Sequence, residues 1–193
     1  MELQKINVKV FTAAPTEVPL TDFIDIFHGW IQATDGVYHD VADYSHMSGG
    51  PGIVLVANDA NVSIDEIGGR RGLLYSQKSK LPGSNLQKLS ATVRSALENC
   101  RRLEQEPALG GKLKFSGNEV EIVLNDRLVA PRNTEEAFEM IRSEVDFFAR
   151  CLYASTNFTL FHNAKDPRQR LNVTIRTPLS VDTNKLLSNL RSI

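Results

Sequence analysis

The 193-residue sequence contains only two cysteines, Cys100 and Cys151, which is too few for the disulfide framework of a small secreted protein. Neither lies in a CxxC or Cys/His spacing that would bind zinc. The sequence also lacks an apolar stretch near 18 residues and a basic-then-apolar leader. We therefore expect reduced core thiols, no membrane span and a cytoplasmic location.

The sequence has little excess charge of either sign, since 22 basic residues nearly balance 23 acidic ones. This balance argues against nucleic acid as a partner, because domains that bind it are usually basic. The charges are unevenly placed: residues 1–66 are acidic, whereas 67–97 contain six basic residues and no carboxylate. We expect these segments to meet, either within one subunit or across a self-associated homodimer.

No low-complexity linker divides the chain, and its apolar content of 41% is sufficient for one core. We predict a single domain over residues 1–193. The order of strand and helix patterns predicts an α+β fold with a mainly antiparallel sheet of about seven strands. These form β-hairpin plus helix units, with the helices largely on one face. The first 115 residues also match a β-α-β-β-α-β order, which would make part of the sheet parallel.

Short segments with strand patterns are spread over the whole sequence. In the first, Ile6, Val8 and Val10 alternate with polar residues, which indicates a half-buried strand. A long polar connection, 58–71, separates two later strands, and Ser116-Gly117-Asn118 predicts a tight hairpin turn. The predicted strands are 5–12, 53–57, 72–76, 112–115, 119–124, 158–162 and 171–175.

Four segments have helical patterns with one apolar stripe. The two most regular ones, 85–104 and 134–154, each begin with a capping box, in which the N-cap residue is followed three positions later by Gln or Glu. A helix of about three turns precedes them, and a shorter one ends the chain. The predicted N-caps are Thr21, Ser84, Asn133 and Ser180.

Histidines, carboxylates and tyrosines crowd together before the predicted strand at 53–57. Their H-D-x-x-D-x-x-H spacing matches no established metal site, and in an extended strand they would face opposite ways. Three interpretations stay open: a metal or catalytic cluster, a loop that lines a ligand site, and turn capping by Asp and Ser side chains. The candidate ligand-binding residues of this segment are His39, Asp40, Asp43, Tyr44 and His46.

Two glycine-rich stretches are further candidates. Gly49-Gly50-Pro51-Gly52 could cradle a phosphate, but no helix follows it, which favours a turn that directs the chain into its strand. Arg70 and Arg71 follow Gly68-Gly69 and could bind a phosphate or carboxylate. The alternative is that these arginines belong to a surface that meets the acidic N-terminal part.

The segment Asp40-Val-Ala-Asp-Tyr-Ser-His46, followed by Gly50-Pro-Gly52, resembles a family of small uncharacterised bacterial proteins with a similar segment before a strand. The resemblance extends through Gly72-Leu-Leu-Tyr75 and the helix after it. It implies kinship with these bacterial proteins and suggests no particular activity.

Two functions are compatible with these features. A non-enzymatic binding or assembly module is favoured, because the sequence contains no catalytic motif and has segments of complementary charge. The alternative is a small metal-assisted hydrolase that uses the histidines and carboxylates of 39–46, with Tyr44 as an auxiliary donor. The sequence assigns no catalytic residue, metal ligand or cofactor.

Overall fold

A computed structural model describes residues 1–14, 17–126 and 130–192. Within these residues, eight strands form one sheet and four α-helices pack with it, so the predicted α+β class is confirmed. The strands are β1 (Ile6–Thr12), β2 (Tyr38–Tyr44), β3 (Gly52–Ala57), β4 (Ala60–Asp65), β5 (Gly72–Gln77), β6 (Phe115–Leu124), β7 (Thr159–Phe161) and β8 (Asn172–Arg176). The helices are α1 (Asp22–Ala33), α2 (Asn85–Glu104), α3 (Glu135–Tyr153) and α4 (Thr183–Asn189).

The strand order in the sheet is β2-β3-β4-β5-β1-β6-β8-β7. All seven pairings between neighbouring strands are antiparallel, so the partly parallel alternative is wrong. Short loops join β3 to β4 and β4 to β5, and short loops permit only antiparallel neighbours. The N-terminal strand β1 consequently lies near the middle of the sheet, between β5 and β6.

The sheet has one strand more than predicted, because β2 and β4 were not among the predicted strands and the two predicted strands 112–115 and 119–124 correspond to the single strand β6. Strand β4 lies inside the connection 58–71, where Ala60, Val62 and Ile64 alternate with polar residues. The predicted hairpin at 116–118 is wrong, since β6 is one continuous strand of ten residues. Gly117 is needed there for space, because a Cβ atom would overlap the Val181 carbonyl.

The four helices are confirmed, but two of their predicted caps are wrong. Helix α2 begins with the predicted capping box of Ser84 and Gln87. Helix α3 is capped by Thr134, whose hydroxyl accepts a hydrogen bond from the Ala137 backbone, and not by Asn133. Asn133 is buried and donates instead to the Asn163 carbonyl at 2.7 Å. Asp182 caps α4 in place of Ser180, because its carboxylate accepts the Lys185 backbone N–H.

The helices bury one face of the sheet in a single apolar core. Strand β1 contributes Ile6, Val8 and Val10 to this core, and α2 and α3 contribute stripes that include Leu89 and Phe148. Cys100 is buried and Cys151 partly buried, both as free thiols. None of the helices in the described part of the chain is long and apolar enough to cross a membrane.

The residues that alternate with these core positions along each strand point away from the helices. We call the side of the sheet on which they lie the open face. In each antiparallel pair, alternate residues face the same side, so the strand register identifies these neighbours. Lys9 of β1 pairs with Glu121 of β6 and with Leu74 of β5. The central residues of the open face are Asn7, Lys9, Phe11, Asp65, Leu74, Glu119, Glu121, Val123, Asn172 and Arg176.

Candidate functional site on the open face of the sheet

The structure places the predicted cluster along β2, an edge strand, and in the turn after it. Asp40 pairs with Val56 and Asp43 with Ile53, so the two carboxylates face opposite sides of the sheet. Among the described residues, no three His, Cys, Asp or Glu side chains are grouped so that they could hold a metal ion. The predicted residues, all of which are exposed, are His39, Asp40, Asp43, Tyr44 and His46.

The two carboxylates of this segment bind nearby backbone groups. Asp40 accepts the Val41 backbone N–H and Asp43 accepts the Ser45 backbone N–H, each at 2.8 Å. Hydrogen bonds from the Ser45 hydroxyl and backbone lower the pKa of Asp43. These contacts agree with turn capping. The metal-assisted hydrolase stays a prediction, and metal analysis of protein purified without a His-tag would test it.

The geometry of the Gly49–Gly52 turn also fits a structural role. Gly52 has a φ of +67°, which strains any residue with a side chain. A Cβ atom at this position would also overlap the Ile64 carbonyl of β4. Glycine is therefore required for the entry into β3, and this close backbone approach favours the turn over a phosphate cradle.

Arg70 and Arg71 line a pocket of about 420 Å³ beside Phe11, but both already bind carboxylates. Arg70 forms a two-pronged ion pair with Glu119, with N–O distances of 2.7 and 3.0 Å. Its guanidinium carbon lies 3.8 Å from the centre of the Phe11 ring. Arg71 pairs with Glu66 at 2.6 Å and donates to the Val18 carbonyl. An anion would have to compete with these internal partners.

The acidic and basic segments of the sequence do meet within one chain. Arg71 of the basic segment pairs with Glu66 of the acidic segment. Lys88 of the basic segment, which is buried on α2, pairs with Glu2 at 2.7 Å. At least some of the complementary charges of the two segments therefore form ion pairs within one subunit.

A groove of about 490 Å³ lies on the open face, where β1, β4, β5, β6 and β8 meet the loop at 168–170. This volume is within the range of small-molecule sites. Ile67, Leu74 and Val123 supply apolar wall. The polar and charged lining residues are Asn7, Lys9, Asp65, Glu121, Arg168, Gln169, Arg170 and Asn172.

A buried ion pair lies under this groove. Lys9 Nζ is 2.5 Å from Asp65 Oδ1, and both side chains are almost fully inaccessible to solvent. Lys9 also donates to the backbone carbonyls of Ile67, at 3.3 Å, and Arg70, at 2.9 Å. The ammonium group thus uses all three of its hydrogens.

The acceptors of the groove floor are less well satisfied than its donors. Asp65 Oδ2 and Asn7 Oδ1 are buried and have no hydrogen-bond partner among the described residues. Desolvation by burial raises the pKa of Asp65, although Lys9 opposes this effect. An unpaired buried acceptor costs about 1 to 3 kcal/mol, so this floor is energetically unfavourable.

Glu121 and Glu119 lie two residues apart on β6 and face the same side, but their pKa values shift in opposite directions. Desolvation raises the pKa of Glu121, and no described side chain donates a hydrogen bond to its carboxylate. Desolvation is also the largest influence on Glu119, but hydrogen bonds from Arg70 and Arg176 outweigh it and lower its pKa. Carboxyl groups with shifted pKa values in a cleft are typical of functional sites.

The sequence analysis did not select Lys9, Asp65 or Glu121. Asn7 and Lys9 were expected on the solvent side of a half-buried strand, yet both are buried. The available signal was the placement of polar and charged residues at alternate positions of three otherwise apolar strands. It becomes informative only when the strand order brings these strands together, with β1 in the middle.

Comparison of the chain with known proteins gave no match to a family model, to a curated protein or to a solved structure. The groove must therefore be interpreted from its own geometry and chemistry.

Proposed function

We propose that this protein is a non-enzymatic binding module whose ligand occupies the groove on the open face. One observation carries the proposal: the fully buried Lys9–Asp65 pair lies under a concave surface and leaves Asp65 Oδ2 without a hydrogen-bond partner among the described residues. Glu121, with its raised pKa, stands beside it.

The energetics of this arrangement support a functional role. Burying an ion pair costs several kcal/mol of desolvation per ion, and apolar residues of similar volume often stabilise a protein at least as well. The opposite side of β1 has such residues, Ile6, Val8 and Val10. Local departures from the most stable choice of residue are expected at functional sites.

The hydrogen bonds of Lys9 favour binding over catalysis. Its three contacts, to Asp65 and two backbone carbonyls, fix the ammonium group in place and leave it no hydrogen for a substrate. A lysine held in this way sets the shape and charge of the floor, whereas a lysine nucleophile needs an accessible, neutral amine.

The proposal can be tested by NMR with a panel of small cations, polyols and anions. We expect at least one class to shift the backbone resonances of Lys9, Asp65, Glu121 and Asn172 in a saturable way. Val123→Phe should fill the groove and weaken this binding, whereas Val37→Phe, the same substitution at an exposed site before β2, should not. Saturable shifts confined to residues 39–46, or none with any class, would contradict the proposal.

A cytoplasmic location and a homodimer belong to the same proposal. The two free thiols support the first. Exposed apolar side chains on α3, Met140 and Phe147, support the second, because their exposed fractions are 59% and 54%. Light scattering at high micromolar concentration and low salt should give the mass of a dimer, and a monomer would contradict this part.

A further inference from the structure

We infer that the groove binds a small organic cation, an alkylammonium or alkylguanidinium ion, whose charged head contacts Glu121. This inference rests on the binding function proposed above and names the chemical class of its ligand. It follows from three features of the groove: its unsatisfied acceptors, its local charge and its apolar walls.

The first feature is the excess of hydrogen-bond acceptors. Asp65 Oδ2 and Asn7 Oδ1 have no partner among the described residues, and the Glu121 carboxylate receives no hydrogen bond from them. Asp65 and Asn7 are at least nine-tenths buried and both line the groove. Because these two oxygens lie beneath the surface, the acceptor that a ligand can contact is the Glu121 carboxylate. A ligand that complements this carboxylate must donate hydrogen bonds, and ammonium and guanidinium groups are donors only.

The second feature is the charge around Glu121. Four charged groups act on it: Lys9, Asp65, Glu119 and Arg70. Lys9 is paired with Asp65, and Glu119 is paired with both Arg70 and Arg176. Glu121 is therefore the carboxylate of this group that has no ion-pair partner of its own among the described residues, and it favours a cation.

The arginines of the neighbouring loop do not reverse this balance. Arg168 has an exposed side chain and pairs with Asp166 at 3.0 Å, so its charge is both compensated and screened by solvent. Arg170 has interactions of its own. Both arginines are exposed residues, so the charge of this loop lies at the rim, and Glu121 and Asp65 lie deeper in the groove.

The third feature is the apolar wall formed by Ile67, Leu74 and Val123. Methylene groups of a slender ligand can pack against these side chains while its head reaches Glu121. An alkyl chain with one cationic head satisfies both requirements, whereas an inorganic cation would leave the wall unused.

Binding of a cation should be coupled to loss of a proton from Glu121. Burial raises the pKa of this carboxyl, and a cation beside it favours the ionised form. The affinity should therefore increase as the pH rises through the pKa of Glu121 and level off above it. A ligand that bound without using this carboxylate would show no such dependence.

Four probes with four carbon atoms and different heads separate the ligand classes: n-butylammonium, butan-1-ol, butyrate and 4-aminobutyrate. Each is added to the full chain, and the shifts of groove resonances are followed by NMR at two pH values. We expect n-butylammonium to bind most tightly and butyrate not to bind. We also expect n-butylammonium to bind more tightly at the higher pH.

Two variants assign the effect to one carboxylate. Glu121→Gln should weaken n-butylammonium binding by about tenfold or more, as expected for loss of a charged hydrogen bond. Glu119→Gln removes a carboxylate two residues away on the same face and should leave the affinity unchanged, provided that its spectrum remains that of a folded protein.

The outcomes distinguish this inference from the proposed function. If butyrate or butan-1-ol binds the groove as tightly as n-butylammonium, the cation class is wrong and the binding module stands. If 4-aminobutyrate alone binds, the ligand is a zwitterion, and the inference of a simple organic cation is overturned. If none of the probes shifts the groove but another compound of the wider panel does, the cation class again fails alone.

Discussion

The two faces of β1 are buried to nearly the same degree by different means. Ile6, Val8 and Val10 on the helix side are fully buried, and Asn7 and Lys9 on the open face are only 5% and 4% exposed. The first group loses water and gains apolar contacts, which stabilises the fold. The second loses water and recovers only part of its hydrogen bonds. Similar burial therefore stabilises one face and destabilises the other, and our proposal places the binding site on the face where burial is unfavourable.

The open face itself has a satisfied end and an unsatisfied end. Glu119 is held by Arg70 and by Arg176, which stacks at 5.1 Å over the Phe161 ring. Glu121, one step further along the same strand, faces the groove without such partners. Pairs of carboxyl groups whose environments move their pKa values apart often mark a site, and here the contrast occurs within one strand.

The largest effect is expected when the buried pair is broken. Lys9→Met should destabilise the protein by about 3 to 5 kcal/mol at pH 7, because it leaves Asp65 buried without a counter-ion. The loss should be smaller at lower pH, where Asp65 can take up a proton. The double variant Lys9→Met/Asp65→Leu should recover most of the stability, as measured by denaturant unfolding. Equal losses in the single and double variants would show that the pair is not the cause.

On the face of the sheet that packs against the helices, stability should depend on side-chain volume and not on charge. Leu89→Ala on α2 or Phe148→Ala on α3 should cost about 2 to 5 kcal/mol, because each leaves a cavity in the core. Glu98→Ala, an exposed change on α2, should stay within about 0.5 kcal/mol. Denaturant midpoints measure all three. Losses below about 1 kcal/mol at both core positions would remove these helices from the core.

A smaller effect is expected at the satisfied end of the open face. Glu119→Gln should cost about 1 kcal/mol at pH 7, since both arginines are half-exposed and solvent screens the pairs. The pKa of Glu119 is below its ordinary value of 4.5, so its contribution is present above 4.5 and disappears as the pH falls through the lower, folded value. The variant should thus match the parent protein in strong acid. Glu139→Gln, on an exposed pair with Arg142, is the control.

The smallest change is expected at Glu121, and its sign is opposite. Because the pKa of this carboxyl is raised in the folded protein, the folded state keeps its proton longer than the unfolded chain does. Ionisation therefore reduces stability as the pH rises from 4.5 through the folded value. Glu121→Gln should raise the melting temperature at pH 8 and leave it unchanged at pH 4. A lower melting temperature at pH 8 would show that Glu121 stabilises the fold.

Much of the fold could be predicted because its signals are local. The alternation in β1 and the capping box of Ser84 and Gln87 each lie within a few residues. Strand β4 was missed because half of its six residues are polar and its last, Asp65, resembles the start of a loop. The turn at 116–118 was predicted wrongly because Gly117 serves a close contact with Val181, 64 positions away in sequence, which no local pattern reveals.

The groove could not be predicted for the same physical reason. Lys9 and Asp65 are 56 positions apart, and they meet only because β4 lies next to β5, which pairs with β1. The histidines and carboxylates at 39–46 attracted attention because they are adjacent in sequence, but the strand spreads them over both sides of an exposed edge. The position of polar residues in the sheet therefore indicates the candidate site better than their clustering along the sequence does.

One NMR experiment tests the central contrast most directly: a pH titration of the side-chain carboxyl carbons of Glu119 and Glu121 in the same sample. We predict a midpoint below 4.5 for Glu119 and above 4.5 for Glu121, and a downward shift of the Glu121 midpoint alone when n-butylammonium is added. Midpoints that coincide near 4.5, or a Glu121 midpoint that does not respond to any ligand of the groove, would contradict the assignment of binding to this face.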